Sequence, residues 1–475
     1  MEKHILDKLR MPKGARYIIE QLEKNGFEAF IVGGCVRDCL LGKVPNDWDI
    51  TTSAKPEQVK SIFSHTVDTG IEHGTVTVLV DKNYLKAEAF NKEEDLPCEE
   101  YAFEVTTYRI DGVYEDHRRP KEVSFTSNLV EDLKRRDFTI NAMAYNYKDG
   151  IIDVFGGVDD LNNKIVKCVG NPTERFNEDA LRILRAVRFS AQLGFVIEES
   201  TKEAMRNQAK YLEAISAERI QVELTKLITS DNPDKLVDAF ELGITKIVLP
   251  EFDVMMNTKQ NNPNHLYNVG IHTIKVMEKV NKNKIMRYAA LLHDVSKPDC
   301  KTTGEDGVDH FYGHQNAGEK KAKTILRRLK LDNNTISEVC RLVKYHDYGM
   351  DKVGIKAFRR FLGKLGIENF ANYIELRKAD IGSQSDYNIE KKRESIISLE
   401  EMYDEVIDND QCISLKDLRI TGSDLISMGL KPGRNIGMIL STLLERVLDE
   451  PKLNDEETLR AMALMLINKI KEEKS

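Results

Sequence analysis

The stretch Gly33-Gly34-Cys35-Val36-Arg37-Asp38-Cys39-Leu40-Leu41-Gly42-Lys43-Val44-Pro45-Asn46-Asp47-Trp48-Asp49-Ile50 decides how the chain reads. A glycine pair opens a short helical run, a polar turn follows, and two carboxylates one residue apart lead into the β-branched Ile50-Thr51-Thr52. Alternate residues on a strand share a face, so Asp47 and Asp49 project together and Trp48 points the other way. Neighbouring carboxylates repel unless a cation lies between them, and hard oxygen ligands that act with substrate phosphates suit Mg2+. Backbone N–H groups of a Gly-Gly turn at a helix N-terminus suit a triphosphate. Asp-x-Asp alone reads equally well as a solvated turn. Gly33, Gly34 and Arg37 upstream weigh against that reading.

Outward from this stretch, residues 14–30 read as an amphipathic helix running into the apolar strand Ala29–Val32. Further strand-like runs fall at Thr75–Val80, Tyr84–Phe90 and Phe103–Arg109. The first 150 or so residues therefore read as α+β with a mixed or antiparallel sheet. From about Pro172 the pattern is periodic helix separated by short polar turns. At 475 residues the chain is too long for one core and implies three or four units. Its 41% hydrophobic and 31% charged content is that of a globular protein. No apolar run has the length of a membrane span, and MEKHILDKLRMPKG has no secretory apolar stretch. Seven cysteines without a Cys-x-x-Cys pair indicate neither a disulfide framework nor a cysteine zinc site, so the cytoplasm is the expected setting. A net charge of −8 requires any nucleic-acid partner to meet local basic patches.

Two further clusters carry chemistry. In Glu178-Asp179-Ala180-Leu181-Arg182, helical spacing puts Asp179 and Arg182 at i and i+3 on one face, an acceptor beside a donor. Cytosine and adenine each present an amino donor next to a ring-nitrogen acceptor and fit that pair. Uracil and guanine invert the pattern, at about 1–3 kcal/mol per group left unpaired. Such a face selects C and A without a nucleic-acid template. The bland alternative is a surface ion pair. Arg185 and Arg188 continue the basic stripe, facing phosphate or holding Arg182. Farther on, His272, His293-Asp294, His314, His346-Asp347 and Asp380 gather near helix ends, and imidazoles with carboxylates suit a divalent transition metal.

The longer run GGCVRDCLLGKVPNDWDITT resembles the nucleotidyltransferase signature of the polymerase β superfamily. More closely, it resembles the class II tRNA nucleotidyltransferases (CCA-adding enzymes) and the bacterial poly(A) polymerases. Arg135-Arg136-Asp137-Phe138-Thr139-Ile140-Asn141-Ala142-Met143-Ala144 is similar to that family's next block, the Asp179–Arg182 segment to its EDxxR motif, and Ile215–Leu224 to its last shared neck block. The resemblance implies an α+β, polymerase β-like palm head over 1–155. It implies all-α regions after it: a neck with base-recognition and RNA-binding helices over 156–230, a body over 231–385 and a tRNA-binding tail over 386–475. It further implies CCA addition to a tRNA 3′ end from CTP and ATP, dependent on Mg2+, with Asp47 and Asp49 as metal ligands. Gly33, Gly34, Arg37 and Arg136 would hold the nucleotide and Asp179 and Arg182 would read it.

Glu104 becomes the candidate third catalytic carboxylate, the alternative being a glutamate facing water. The polar loop at 111–121 resembles the flexible loop of members that add adenosine. The histidine series resembles the HD phosphohydrolase superfamily, implying His272, His293, Asp294 and Asp380 as core ligands, with His314 and His346 for a second divalent metal. By the same resemblance its substrates would be RNA phosphate ends. Addition of A only, poly(A) synthesis, an RNA-end phosphohydrolase with a vestigial head, and a noncatalytic RNA-binding protein remain alternatives.

Overall fold

Strict alternation along Ala29–Val32 (β1) gives the sheet its two buried faces. Ala29 and Ile31 pack with Ala15, Ile18, Ile19 and Leu22 of the helix Lys13–Lys24 (α1), while Phe30 and Val32 pack with Leu129 and Leu133 on the opposite face. The computed structural model describes residues 9, 11–81, 100–112, 114–115, 119–120, 123–348, 353–409 and 412–472. They form two units, 1–250 and 251–475.

In the first unit, α1 stops at Lys24 rather than running to residue 30. Gly26 (φ +83°) takes the left-handed conformation that reverses the chain into β1. Gly34–Leu40 (α2) follows directly, then Asp49–Thr52 (β2), Thr66–Gly70 (β3), Thr75–Asp81 (β4), Glu100–Thr107 (β5), Met143–Asn146 (β6) and Gly150–Asp153 (β7). Their order across the sheet is β7-β6-β1-β2-β5-β4-β3. β2 and β5 are parallel and the other neighbours antiparallel, so the sheet is mixed. The strand expected at 84–90 lies outside the described residues. Within the loop expected at 111–121, Tyr114–Glu115 pairs with Arg119–Pro120. Residues 113, 116–118 and 121 lie outside the description.

After β7 the unit is mainly helical. Pro172–Glu178 (α4) and Leu181–Leu193 (α5) meet at a break, and Ala217–Ile228 (α6) packs along α5. Leu129–Lys134 (α3) sits under the sheet on the β2 side. Ser216 occupies the cap position of α6, but its side chain makes no capping hydrogen bond.

Among the described residues the second unit is helical apart from one small hairpin, Thr302–Thr303 with Asp309–His310. Val269–Lys279 (α7), Lys284–Leu292 (α8), His314–Arg328 (α9), Asn333–Tyr345 (α10) and Phe370–Ile381 (α12) surround a buried centre rich in histidine, and Ile355–Leu365 (α11) packs its Phe361 on Tyr345 and Tyr373. Later helices carry a separate apolar cluster that includes Leu425, Leu443, Val447, Leu459 and Ile467.

Candidate active site

Parallel pairing of β2 with β5 sets Asp49 opposite Glu104. Ile50 and Val105 turn into the core on one face, which leaves Asp49, Thr51 and Glu104 on the other. Asp47 lies just before β2 and is exposed, whereas Asp49 is half-buried. Burial, then the charge of Asp47, push the Asp49 carboxyl up to about 6. Arg136 pulls it down and Glu104 pushes it up again. Three carboxylates thus share one field that their protein neighbours do not neutralise. A set of oxygen donors with surplus negative charge fits a divalent hard cation.

The phosphate side of this site is built on Gly33. Its φ of +83° suits glycine, and a Cβ there would stand 3.0 Å from Arg136 Nη1, so the missing side chain also lets the guanidinium approach the strand-to-helix turn. Arg37 donates to Asn141 Oδ1 (2.6 Å) and Asp38 Oδ1 (2.9 Å), and its guanidinium faces the Phe189 ring at 5.2 Å. Arg136 and Arg135 both pair with the fully buried Asp132, which also accepts from Thr51 Oγ1 at 3.2 Å. Burial alone would raise the Asp132 carboxyl, but the two guanidiniums hold it below its ordinary value. Phe138, Ile140 and Met143 of the same block are buried and pack into the core.

At the base-reading segment the structure corrects the helical-face expectation. Asp179 is not on a helix with Arg182. It sits in the break between α4 and α5 with extended backbone (φ −140°, ψ 102°), and its Oδ1 caps α5 by accepting from the Leu181 N–H at 3.1 Å. The bond that holds it there is tertiary, for Arg219 of α6 grips both carboxylate oxygens at 2.7 and 3.2 Å. Arg182 is 8% exposed and donates to Glu178 Oε2 (2.5 Å) and to the carbonyls of Arg175 and Arg135. It is therefore no surface ion pair with Asp179.

Arg185 and Arg188 also differ from the open basic stripe. Arg185 bonds Asp137 Oδ2 through two nitrogens (2.6 and 2.9 Å), and Arg188, buried, bonds Glu223 (2.5 Å) and Gln192 (2.6 Å). Arg188 also stacks on Phe189 at 3.7 Å. Burial would raise Asp137, yet Arg185 brings it down to about 2. Asp137 therefore ties the Arg135–Ala144 block to α5. Replacing it by Ala leaves a half-buried guanidinium without its main partner. The expected cost is about 3 kcal/mol, read as a lower urea midpoint for the first unfolding transition. An unchanged midpoint contradicts this role.

The second unit brings all six expected histidine-centre residues together. His272, His293, Asp294, His314 and His346 are buried, with Asp380 partly covered. Each ring places Nδ1 against a backbone carbonyl: Ser383 (3.3 Å), Ala290 (2.7 Å), Phe311 (2.8 Å) and Val343 (2.7 Å) respectively. Nδ1–H donation to those carbonyls leaves every Nε2 lone pair pointing inward. Asp294 is shared. Oδ2 lies 3.2 Å from His293 Nε2 and 3.6 Å from His272 Nε2, and Oδ1 lies 3.4 Å from His314 and 3.6 Å from His346. The Nε2 pairs are 3.4 Å (His272–His293) and 3.2 Å (His314–His346) apart. Two ligands each ~2.1 Å from one ion at a near-tetrahedral angle stand ~3.4 Å apart, so the spacings fit two ion positions bridged by Asp294.

Sequence reasoning missed two neighbours here. Lys297 Nζ pairs with Asp294 Oδ2 at 2.7 Å and meets His265 Nε2 and Gln260 Oε1 at 3.3 and 3.2 Å. Lys297 follows Asp294 by three residues, a spacing that would have flagged it. Burial, with Lys297 beside it, lowers His265 to about 3.

Comparison with known proteins places these geometries. Residues 29–167 match the Poly A polymerase head domain, 194–256 the RNA and SrmB-binding site of polymerase A, and 302–463 domain 2 of tRNA nucleotidyltransferase. The chain is 35% identical over 451 residues to the CCA-adding enzyme of Lactococcus lactis subsp. cremoris (strain MG1363), covering 93% of each. It is 49% identical over 220 residues to that of Enterococcus faecalis (strain ATCC 700802 / V583), covering 46% of this chain and 50% of the relative. The crystal structure of the Bacillus stearothermophilus CCA-adding enzyme in complex with CTP superposes with a TM-score of 0.66 at 28% identity, covering 97% of this chain and 98% of that one. The Thermotoga maritima CCA-adding enzyme complexed with tRNA shares the fold, with a TM-score of 0.57, 23% identity and 98% of each chain covered. With the Lactococcus match running through nearly the whole of both proteins and a head built around paired carboxylates, the chain belongs to the CCA-adding enzymes, which are nucleotidyltransferases.

Proposed function

We propose that this chain completes tRNA 3′ ends, adding C, C and A from CTP and ATP without a nucleic-acid template and releasing pyrophosphate. The observation that carries this is the Asp49–Glu104 register, with Asp47 and Arg136 in the same field, in a chain of this family. Asp47, Asp49 and Glu104 would hold Mg2+, the hard ion their oxygens suit; when bound it neutralises phosphate charge and lowers the pKa of the attacking 3′-hydroxyl. Gly33 and Gly34 offer backbone N–H groups to the triphosphate, and Arg37 and Arg136 add fixed positive charge. Asp179 accepts from the amino group of C or A while Arg182 donates to the adjacent ring nitrogen. Arg185 supports this face through Asp137, and Arg188 supports it by packing on Phe189. The division into head (1–155), neck (156–230), body (231–385) and tail (386–475) is part of this reading, as is a cytoplasmic setting. Among the described residues no helix is long and apolar enough to cross a membrane. Relatives named as CCA-adding enzymes weigh against poly(A) synthesis and against a vestigial head.

The test supplies tRNAs ending before CCA, after C and after CC, with CTP and ATP alone or together, and sequences the products. Ordered CCA completion is expected; growth of A tracts contradicts it. Asp179→Ala should admit UTP and GTP while slowing transfer less than it relaxes base choice. Equal loss for every nucleotide contradicts base reading by this residue.

A specific observation favours a second activity. The four inward Nε2 atoms and the shared Asp294 form a donor set for divalent transition metals, with the Lys297 ammonium paired to Asp294 Oδ2 at 2.7 Å. We read it as a phosphohydrolase centre acting on RNA phosphate ends, with His272, His293, Asp294 and Asp380 holding one ion and Asp294, His314 and His346 the other.

A further inference from the structure

A basic cavity of about 410 Å³ opens among α9, α10 and α11. Lys323, Arg327, Arg341, Lys344 and Lys364 line it against a single carboxylate, Glu319. Glu319 is already engaged, bonding Lys344 at 2.9 Å. Arg341 reaches Glu338 and Glu368 at 3.5 and 3.4 Å. Lys323, Arg327 and Lys364 have no acidic partner among the described residues.

The contrast on α9 is direct. Lys321 and Arg328, off the cavity, pair with Asp299 and Glu251, whereas Lys323 and Arg327 on the cavity side do not meet an acid among the described residues. Lys323 and Arg327 stand at i and i+4, where like charges repel. Arg341 and Lys344 repeat the arrangement at i and i+3 on the facing helix. Among the described residues the floor offers no hidden anion. Ile336 and Tyr345 are apolar or neutral, and burial, with Glu319 nearby, pushes the Cys340 thiol up to about 11. In a chain of net charge −8, a concave cluster in which Lys323, Arg327 and Lys364 lack acidic partners among the described residues is the local basic patch that a polyanion requires.

We propose that this cavity is a docking site for the phosphate backbone of tRNA, with Lys323, Arg327 and Lys364 as its principal contacts. Arg327 offers a planar donor fork matched to phosphate oxygens, and the two lysines supply point charges from neighbouring helices. The cavity has the size of an ordinary small-ligand pocket, roughly 300–1,000 Å³, so a ribose-phosphate unit enters it rather than grazing a flat surface. This inference rests on tRNA being the acceptor.

The test uses the full-length protein and the charge reversals Lys323→Glu and Arg327→Glu, singly and together. The double variant is expected to bind tRNA about tenfold or more weakly near 0.1 M salt. The slope of log affinity against log salt should shrink by about one for each phosphate that is no longer neutralised. KM for tRNA should rise while kcat at saturating tRNA and KM for CTP hold. Lys356→Glu, an equal charge change at an exposed lysine outside the cavity, should do little. Inorganic phosphate and ATP serve as probes for a free-phosphate ligand. If either binds the wild type with an affinity lost in the double variant while tRNA binding is untouched, the cavity is a small-anion site and the proposal falls. It also falls if the control lowers tRNA affinity equally. Wild-type protein that extends tRNA, with variants that bind it normally, overturns this inference alone. Wild-type protein that extends no tRNA overturns the activity it rests on.

Discussion

Asp49→Asn is expected to lower nucleotide transfer to tRNA by about 10³-fold or more, because several kcal/mol of charge stabilisation depend on the ion this carboxylate holds. The fold should not suffer. The Asp49 carboxyl is raised from an ordinary 3.8 to about 6, so ionising it costs the folded protein about 3 kcal/mol in the absence of a cation. Since the folded state binds this proton more tightly than the unfolded chain, the cost appears as pH rises from about 4 through 6 and is present in full at neutral pH. Without added Mg2+, the Asn variant should therefore melt at or above the wild-type temperature at pH 7.5. Added Mg2+ should raise the wild-type melting temperature and leave that of the variant nearly unchanged. Proton and ion compete for the same oxygen, so wild-type activity should decline as pH falls through about 6, and higher Mg2+ should move the decline lower. A variant that retains transfer, or a wild type whose stability ignores Mg2+ at pH 7.5, contradicts the placement of the ion.

Asp294→Asn should abolish metal loading of the second unit. Each Asp294 oxygen faces a different histidine pair, so one substitution removes the shared anionic ligand of both positions. Lys297 shows what the carboxylate does at present, its ammonium pairing with Oδ2 at 2.7 Å. Burial opposes ionisation of Asp294, yet the histidines and Lys297 hold its carboxyl well below the usual range, so it is an anion throughout neutral pH. Wild-type protein dialysed against Mn2+ or Co2+ should retain up to two ions per chain. The variant should bind at least about 100-fold more weakly, since even residues that merely support a ligand are worth 10–100-fold. CCA addition should be unaffected, which separates this loss from unfolding. Equal metal content in variant and wild type contradicts the centre.

Much of this arrangement is legible without any coordinates. The apolar run Ala29–Val32, the glycine pair and the Asp-x-Asp spacing are local signals, and β1, α2 and β2 fall where those signals put them. The six histidine-centre residues are also legible, because His-Asp pairs at helix ends are uncommon enough to stand out. What stays hidden is tertiary. Glu-Asp-Ala-Leu-Arg has helical spacing, but the Arg219 grip on Asp179 lies 40 residues away and goes with a break in the helix between Glu178 and Leu181. Asp137 and Arg185 are 48 apart, and Arg188 and Glu223 are 35 apart, so no periodicity announces them. An arginine stripe therefore looks open to phosphate when two of its members are already engaged by acids. The start of β1 is clear from the sequence, but the end of α1 depends on the left-handed turn at Gly26, so periodicity alone carries the helix past Lys24 to residue 30.

The most direct measurement is a crystal structure with CTP and Mn2+ bound. The account predicts an anomalous peak within coordination distance of Asp47 and Asp49, with the cytosine amino group against Asp179 and its N3 toward Arg182. A base turned away from those two side chains, or an ion held elsewhere in the head, would contradict it.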